Sequence, residues 1–284
     1  MELNTFIVDE IIRRALQEDI GTGDITTDAI VPRDHFTKAF IHTKEDGVLA
    51  GIFIAERVFS LLSSEVDFKR IKQDGDILQA GDILAELYGP ARVILTGERV
   101  ALNFLQRMSG IATKTRRIAG LLSDSGTAVV DTRKTTPGLR ALEKYAVYIG
   151  GGKNHRFGLY DGVLIKDNHI KVAGGIKEAV EMARAYAPHT IKIEVEVETL
   201  AGVKEALEAG ADIIMLDNMD IETVKQALVM INGQALVEVS GGLSEDKVPK
   251  LAELGVDIIS MGALTHSVKA LDISLDVGGI KTRK

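Results

Sequence analysis

Between Ile191 and Met261 the chain repeats itself. Apolar runs at 191–197, 212–217, 235–240 and 256–261 alternate with helical runs at 174–187, 199–210, 221–231 and 244–254. The equivalent run-end positions Glu196, Asp217, Glu238 and Ser260 fall 21, 21 and 22 residues apart. One such period holds one strand, its turn and one helix, so the strands must run parallel and be joined by right-handed crossovers. Two more apolar runs, Ala128–Asp131 and Val163–Lys166, bring the count to about six βα units. An eight-unit barrel takes about 250 residues, and only about 150 are at hand, so the spacing predicts an incomplete α/β barrel of six to seven strands. An open doubly wound sheet has the same period and is the other architecture it allows.

Upstream the pattern changes. Phe6, Ile7, Ile11, Ala15 and Leu16 keep helical spacing over 4–18 until Gly21 and Gly23 break it. Phe36–Thr43 reads as a strand, Ile52–Leu62 as a helix and Val66–Ile71 as a strand, followed by short apolar runs set off by two Gly-Asp turns. The expected division is an α+β domain over 1–112, to which 268–284 return, and a barrel over 113–267. A long helix over 91–123 joins them. Arg99, Asn103 and Gln106 share one face of it, as a wet side, a site or a subunit contact.

Composition removes several function classes. A chain without cysteine has no disulfide, no Cys nucleophile and no thiolate metal site, and fits a reducing compartment, here expected to be the cytoplasm. No run of about 20 apolar residues suggests a membrane span. A net charge of −7 with no Trp argues against nucleic-acid binding. Against that background Asp131–His169 is locally basic, with Arg133, Lys134, Arg140, Lys144, Lys153, Arg156 and Lys166 facing four acids. Glycines 150–152 allow close backbone approach within it. The stretch is expected to bind a small polyanion.

The C-terminal strand ends, where α/β folds hold ligands, carry the chemistry. They read Asp131-Thr132-Arg133-Lys134, Lys166-Asp167-Asn168-His169, Glu194-Val195-Glu196, Asp217-Asn218, Glu238-Val239-Ser240-Gly241-Gly242 and Ser260-Met261-Gly262. Strand parity puts Glu194, Glu196 and Glu198 on one face, and the helices need the other, so the glutamates should point inward toward cations or a metal. The glycines after Ser240, and Gly262 near His266, offer backbone N–H groups to a phosphate.

Long motifs in order carry a resemblance over nearly the whole chain. EDIGTGDIT, GERVALNFLQRMSGIAT, DTRKTTPGLR, GGGKNHRFGLYDGVLIKDNH, EVEVE, IMLDN, EVSGG and GALTHS together resemble the quinolinate phosphoribosyltransferase family, the carboxylating nicotinate-nucleotide pyrophosphorylases. The resemblance implies an N-terminal α/β sandwich, a six- or seven-stranded barrel, and a head-to-tail homodimer with shared active sites, or a hexamer. It implies transfer from 5-phosphoribosyl-1-pyrophosphate to quinolinate with Mg²⁺, releasing pyrophosphate and CO₂ and giving nicotinate mononucleotide for NAD biosynthesis. Quinolinate is then held by Arg133, His155, Arg156, Lys166 and the neighbouring subunit's Arg99. Lys134, Lys166, Glu196 and Asp217 serve catalysis, Glu196 and Asp217 also meeting Mg²⁺ directly or through water. Ser240, Gly241, Gly242, Gly262 and His266 take the 5-phosphate. Nicotinate phosphoribosyltransferase, or a reassigned relative such as those associated with molybdenum transport, is the alternative implied.

Overall fold

The structure, a computed structural model, describes residues 1–279. In chain order the elements begin with α1 (Thr5–Ile20), α2 (Ile25–Ile30), β1 (Phe36–Thr43), β2 (Gly47–Val48), α3 (Ile52–Leu62), β3 (Asp67–Arg70), β4 (Ile77–Leu78), β5 (Ile83–Pro90) and α4 (Ala91–Gly120). Next come β6 (Ala128–Val130), α5 (Arg140–Ile149), β7 (Val163–Ile165), α6 (Asp167–Ala173), α7 (Ile176–Tyr186), β8 (Ile193–Val197), α8 (Leu200–Glu208), β9 (Ile213–Asp217) and α9 (Ile221–Ile231). The chain continues through β10 (Leu236–Ser240), α10 (Val248–Glu253), β11 (Ile258–Ser260), α11 (Ala263–His266) and β12 (Ile273–Val277). The run expected as one helix over 244–254 is a 3₁₀ turn, Glu245–Lys247, leading into α10.

Two compact units result. The first gathers Met1–Arg116, Thr136–Gly151 and the described residues from Thr265 on. Its main sheet has the order β12-β1-β5-β3, all antiparallel. The return of the C-terminal segment is made by β12 pairing with β1, Phe40 opposite Asp276; residues 280–284 of that segment lie outside the described ones. Gln106 takes part in that return, its amide donating to the Ile273 carbonyl at 2.7 Å. This gives one member of the polar α4 face a structural use. On α1, Val8, Ile12 and Leu16 are buried at four-residue spacing, and each such burial is worth about 2 kcal/mol. Asn4 caps the helix through the Phe6 amide.

Of the barrel expected over 113–267, this unit takes residues 113–116, 136–151 and 265–267. Thr136–Gly151, with α5, belongs here, for reasons of packing that no periodicity contains. The Tyr145 hydroxyl donates to Asp74 at 2.8 Å and its ring meets Phe53 edge-on. Glu143, buried, pairs with Arg107, which also donates to the Thr136 hydroxyl and the Thr265 carbonyl. Gly150 lies where a Cβ would come within 2.5 Å of the Ala112 carbonyl.

The second unit, Arg117–Thr135 with Gly152–Leu264, is a parallel six-stranded sheet in the order β6-β11-β10-β9-β8-β7. That is the cyclic order of a barrel with one pairing left out, β6 with β7. Beside β6 the chain supplies a rudimentary seventh strand: Val130 bridges Lys153, and the Lys153 amide donates to the Val129 carbonyl at 2.9 Å. Ile193, Val195 and Val197 turn to the covering helices and are buried. Neighbouring strands are staggered as barrel closure demands. Glu196 therefore pairs laterally with Met215, and Asp217 with Ser240. The 21-residue period is a repeat in sequence, not a level in space.

Candidate active site

The second unit contains a cavity of about 500 Å³ around the C-terminal ends of its strands. Arg133, Lys134, Arg156 and Lys166 line it together with Glu196 and Asp217. The expected basic stretch thus divides. Arg140 and Lys144 ride on α5 in the other unit, where Lys144 is fully buried, while Lys153 is exposed beside β6.

Arg156 is held in place by local structure. Asp131 at the end of β6 is fully buried and accepts from the Asn154 amide (2.6 Å) and the His155 N–H (3.0 Å), fixing the start of the 154–162 loop. Asp161 accepts from the N–H groups of Phe157 and Gly158, turning the loop so that the Gly162 carbonyl receives the Arg156 guanidinium at 3.0 Å. Burial first, then the charge of Arg133, holds Arg156 below the ordinary guanidinium range, with Glu194 and Asp161 pulling the other way. Two guanidiniums that repel one another, the exposed Arg133 and the half-buried Arg156, call for an anion between them.

In the same cavity the Lys166 ammonium pairs with the Glu196 carboxylate. Asp217 accepts from the Asn218 amide at 2.7 Å. Asn218 itself has a φ of 54°, and its N–H donates to the Ser240 carbonyl. That contact brings the backbone of β9 against the turn after β10. Gly241 (φ 94°) and Gly242 (φ 52°) stand there in succession, and a Cβ on Gly241 would lie 2.7 Å from the Asn218 nitrogen. Only glycine fits. Without side chains, the two glycines let a ligand approach the backbone N–H groups of this turn closely.

Of the expected site residues, Arg133, Lys134, His155, Arg156, Lys166, Glu196, Asp217, Ser240, Gly241 and Gly242 line this cavity. Gly262 follows β11 outside the lining, and Arg99 and His266 belong to the first unit. Arg99 is exposed there, its side chain 4.0 Å from Glu98. Glu194 is buried, whereas Glu198 lies past the strand end and is exposed.

His155 lines the cavity and also has both ring nitrogens engaged by the protein. Its Nδ1 accepts the Arg156 N–H at 2.8 Å and its Nε2 faces Glu194 at 3.0 Å and Glu238 at 3.6 Å. Glu194 Oε1, Glu238 Oε1 and Ser260 Oγ are buried and lack a hydrogen-bond partner among the described residues. Burial, then the charge of Glu194, pushes the Glu238 carboxyl up to about 7, against the pull of His155. Strand parity turns Glu194 inward toward a cation, but the sequence gives Glu238 and Ser260 no role beyond a place at the strand ends. The parity of β8 was the one signal available. A second cavity of about 540 Å³ lies on the far side of this cluster, and His155, Arg156 and Glu238 line both.

The chain matches two family models, quinolinate phosphoribosyl transferase N-terminal domain over residues 24–109 and C-terminal domain over 111–276. It is similar to a probable nicotinate-nucleotide pyrophosphorylase [carboxylating] of Bacillus subtilis (strain 168), 49% identical over 97% of this chain and 95% of that protein. It also resembles the chloroplastic nicotinate-nucleotide pyrophosphorylase [carboxylating] of Arabidopsis thaliana, at 44% identity over 96% of this chain and 83% of that one. Among solved structures, NadC from Streptococcus pyogenes superposes with a TM-score of 0.93 at 46% identity, covering 97% of this chain and 98% of that chain. Human nicotinic acid phosphoribosyltransferase, at 14% identity and a TM-score of 0.61 over 97% of this chain and 75% of that one, shares the fold alone.

Proposed function

The chain belongs to the quinolinate phosphoribosyltransferase family, and on that footing we propose that its barrel cavity joins quinolinate to 5-phosphoribosyl-1-pyrophosphate with loss of CO₂. The reaction makes it a pentosyltransferase of NAD biosynthesis. The observation that carries the reading is the pair Arg133 and Arg156 lining one cavity, since a pyridine dicarboxylate is the planar dianion that two guanidinium forks match. Lys166 adds a third cation at the cavity edge. Nicotinate has one carboxylate fewer and leaves part of that charge unmet, which disfavours the alternative.

The ribosyl donor takes the opposite wall. The N–H groups of Gly241 and Gly242 beside Ser240 receive its 5-phosphate, with Gly262 and His266 completing the set by family resemblance. Lys134 faces the pyrophosphate. As the bond from C1 to pyrophosphate breaks, its electron pair leaves with pyrophosphate and positive charge develops at the ribose carbon. Glu196 and Asp217 stabilise that charge. The pyridine nitrogen attacks C1; the bond from ring C2 to its carboxylate then breaks, CO₂ leaves, and C2 takes up a proton. The quaternised nitrogen is the electron sink. Glu196 and Asp217 fit Mg²⁺ by their hard oxygen donors, and Mg²⁺ when bound neutralises the pyrophosphate.

Arg99, exposed on α4, supports a shared site in which a second copy supplies it, in a homodimer or a hexamer built from such pairs. Among the described residues no helix is long and apolar enough to cross a membrane, and the lack of cysteine supports a reducing compartment such as the cytoplasm. The test is direct. The purified chain, with and without Mg²⁺, is given phosphoribosyl pyrophosphate and either quinolinate or nicotinate, and mononucleotide and CO₂ are measured. Equimolar CO₂ and mononucleotide from quinolinate, dependent on Mg²⁺, is expected. Turnover of nicotinate alone would overturn the diacid assignment.

A further inference from the structure

The wall between the two cavities is built around one imidazole with both nitrogens in use. Nδ1 of His155 accepts the Arg156 main-chain N–H at 2.8 Å, so Nδ1 keeps its lone pair and the ring proton sits on Nε2. That proton points to Glu194 Oε2 at 3.0 Å, with Glu238 Oε1 behind it at 3.6 Å. The two carboxylates come from β8 and β10, which are not neighbours, and meet because both point into the barrel; their side chains are 5% and 2% exposed. The same three groups lie close enough together, within 4.8 Å, to suggest a cation site. A ring nitrogen that carries a proton is no metal ligand, however, and the Arg156 N–H keeps the proton off the other nitrogen.

We propose that Glu194, backed by Glu238, is a positioning residue that locks His155 as its Nε2–H tautomer and, through the Nδ1 hydrogen bond, sets where Arg156 meets the substrate diacid. The substrate half of this statement rests on the quinolinate reading; the tautomer lock does not. The geometry has the required continuity. Asp131 fixes the His155 N–H, the imidazole is held at Nδ1 by the Arg156 N–H and at Nε2 by Glu194, and the Gly162 carbonyl takes the guanidinium. Glutamine at 194 keeps an acceptor oxygen at the same place, whereas leucine keeps only the volume.

The experiment combines two readouts on the full chain. ¹⁵N spectra of histidine-labelled protein, with the His155 signals assigned by their loss in His155→Gln, should show one protonated and one lone-pair nitrogen, Nε2 being the protonated one. Calorimetry with quinolinate alone should find Glu194→Gln within about threefold of the parent. Glu194→Leu should be weakened roughly tenfold or more, the factor a charge-assisted hydrogen bond commands, while KM for phosphoribosyl pyrophosphate stays within about twofold. Proton on Nδ1, or on both nitrogens, would overturn the lock. So would equal losses for both substrates in Glu194→Leu, or one equivalent of Mn²⁺ or Zn²⁺ bound without substrate and lost in Glu194→Gln. If Glu194→Leu does not fold, the tautomer and the Glu194→Gln result decide. Failure of the parent to bind quinolinate, with the tautomer as stated, would sink the substrate reading and leave the lock standing.

Discussion

Glu238 has its carboxyl raised to about 7 by burial and by Glu194, so it binds a proton in the folded chain over a range where the unfolded chain has lost it. The stability this contributes is therefore fully present below about 4.5 and is lost as pH rises through about 7. Replacing Glu238 with Gln should remove that dependence. Melting temperatures of the two chains should lie close together at pH 5 and separate by pH 8, the variant being the more stable there by on the order of 1–3 kcal/mol. A constant difference across the range would show that Glu238 does not titrate between those limits. Lys134 is a contrasting case, exposed in the cavity wall. Lys134→Ala should lose about a hundredfold or more in kcat/KM with little change in melting temperature, and normal turnover would remove it from the reaction. Both residues stand at strand ends that the sequence marks plainly. The company kept by His155 was not visible there, because Glu194 and Glu238 converge on it across an intervening strand, and no spacing along the chain encodes that distance.

Among elements, β10 and the turn after it carry the most specific demand. Its glycine at 241 is required twice, by a φ of 94° and by the Asn218 nitrogen 2.7 Å from any Cβ. Gly241→Ala should cost about 1–3 kcal/mol of stability through backbone strain and raise KM for phosphoribosyl pyrophosphate at least tenfold, with quinolinate binding nearly unchanged. Parallel loss of both affinities would mean a collapsed barrel rim instead of a lost phosphate contact. Regular elements were read closely from pattern: Phe36–Thr43, Ile52–Leu62 and Ile221–Ile231 coincide with their expected spans. Short ones were not. The seven residues of α6 bury none of their side chains and are capped by His169 accepting the Lys166 N–H, so no apolar period announces them. The stagger between strands is equally silent, since lateral pairing of Glu196 with Met215 is set by closure and not by either strand's own sequence.

For the molecule as a whole, the proposed shared site makes a prediction that no single chain can satisfy. Mixing Arg99→Ala with Lys134→Ala chains under conditions of subunit exchange should restore activity toward half of the parent per mixed dimer, because one of its two sites carries neither defect. No recovery despite proven exchange would confine Arg99 to its own chain. The barrel and the α+β unit could both be read from periodicity and turn chemistry. The assignment of Thr136–Gly151 to the first unit could not, because it depends on Tyr145 finding Asp74 and Glu143 finding Arg107. The pairing of β1 with β12 also has a consequence in time. Residues 36–43 leave the ribosome roughly 230 residues before their partner at 273–277, a delay on the order of 10–50 s at ordinary rates of synthesis. Throughout that interval one edge of β1 has unpaired N–H and C=O groups, on a strand whose Ala39 and Ile41 are wholly buried in the finished protein. Nascent chains stalled before residue 273 should therefore be the ones that recruit chaperones and aggregate, and release of the last strand should end both.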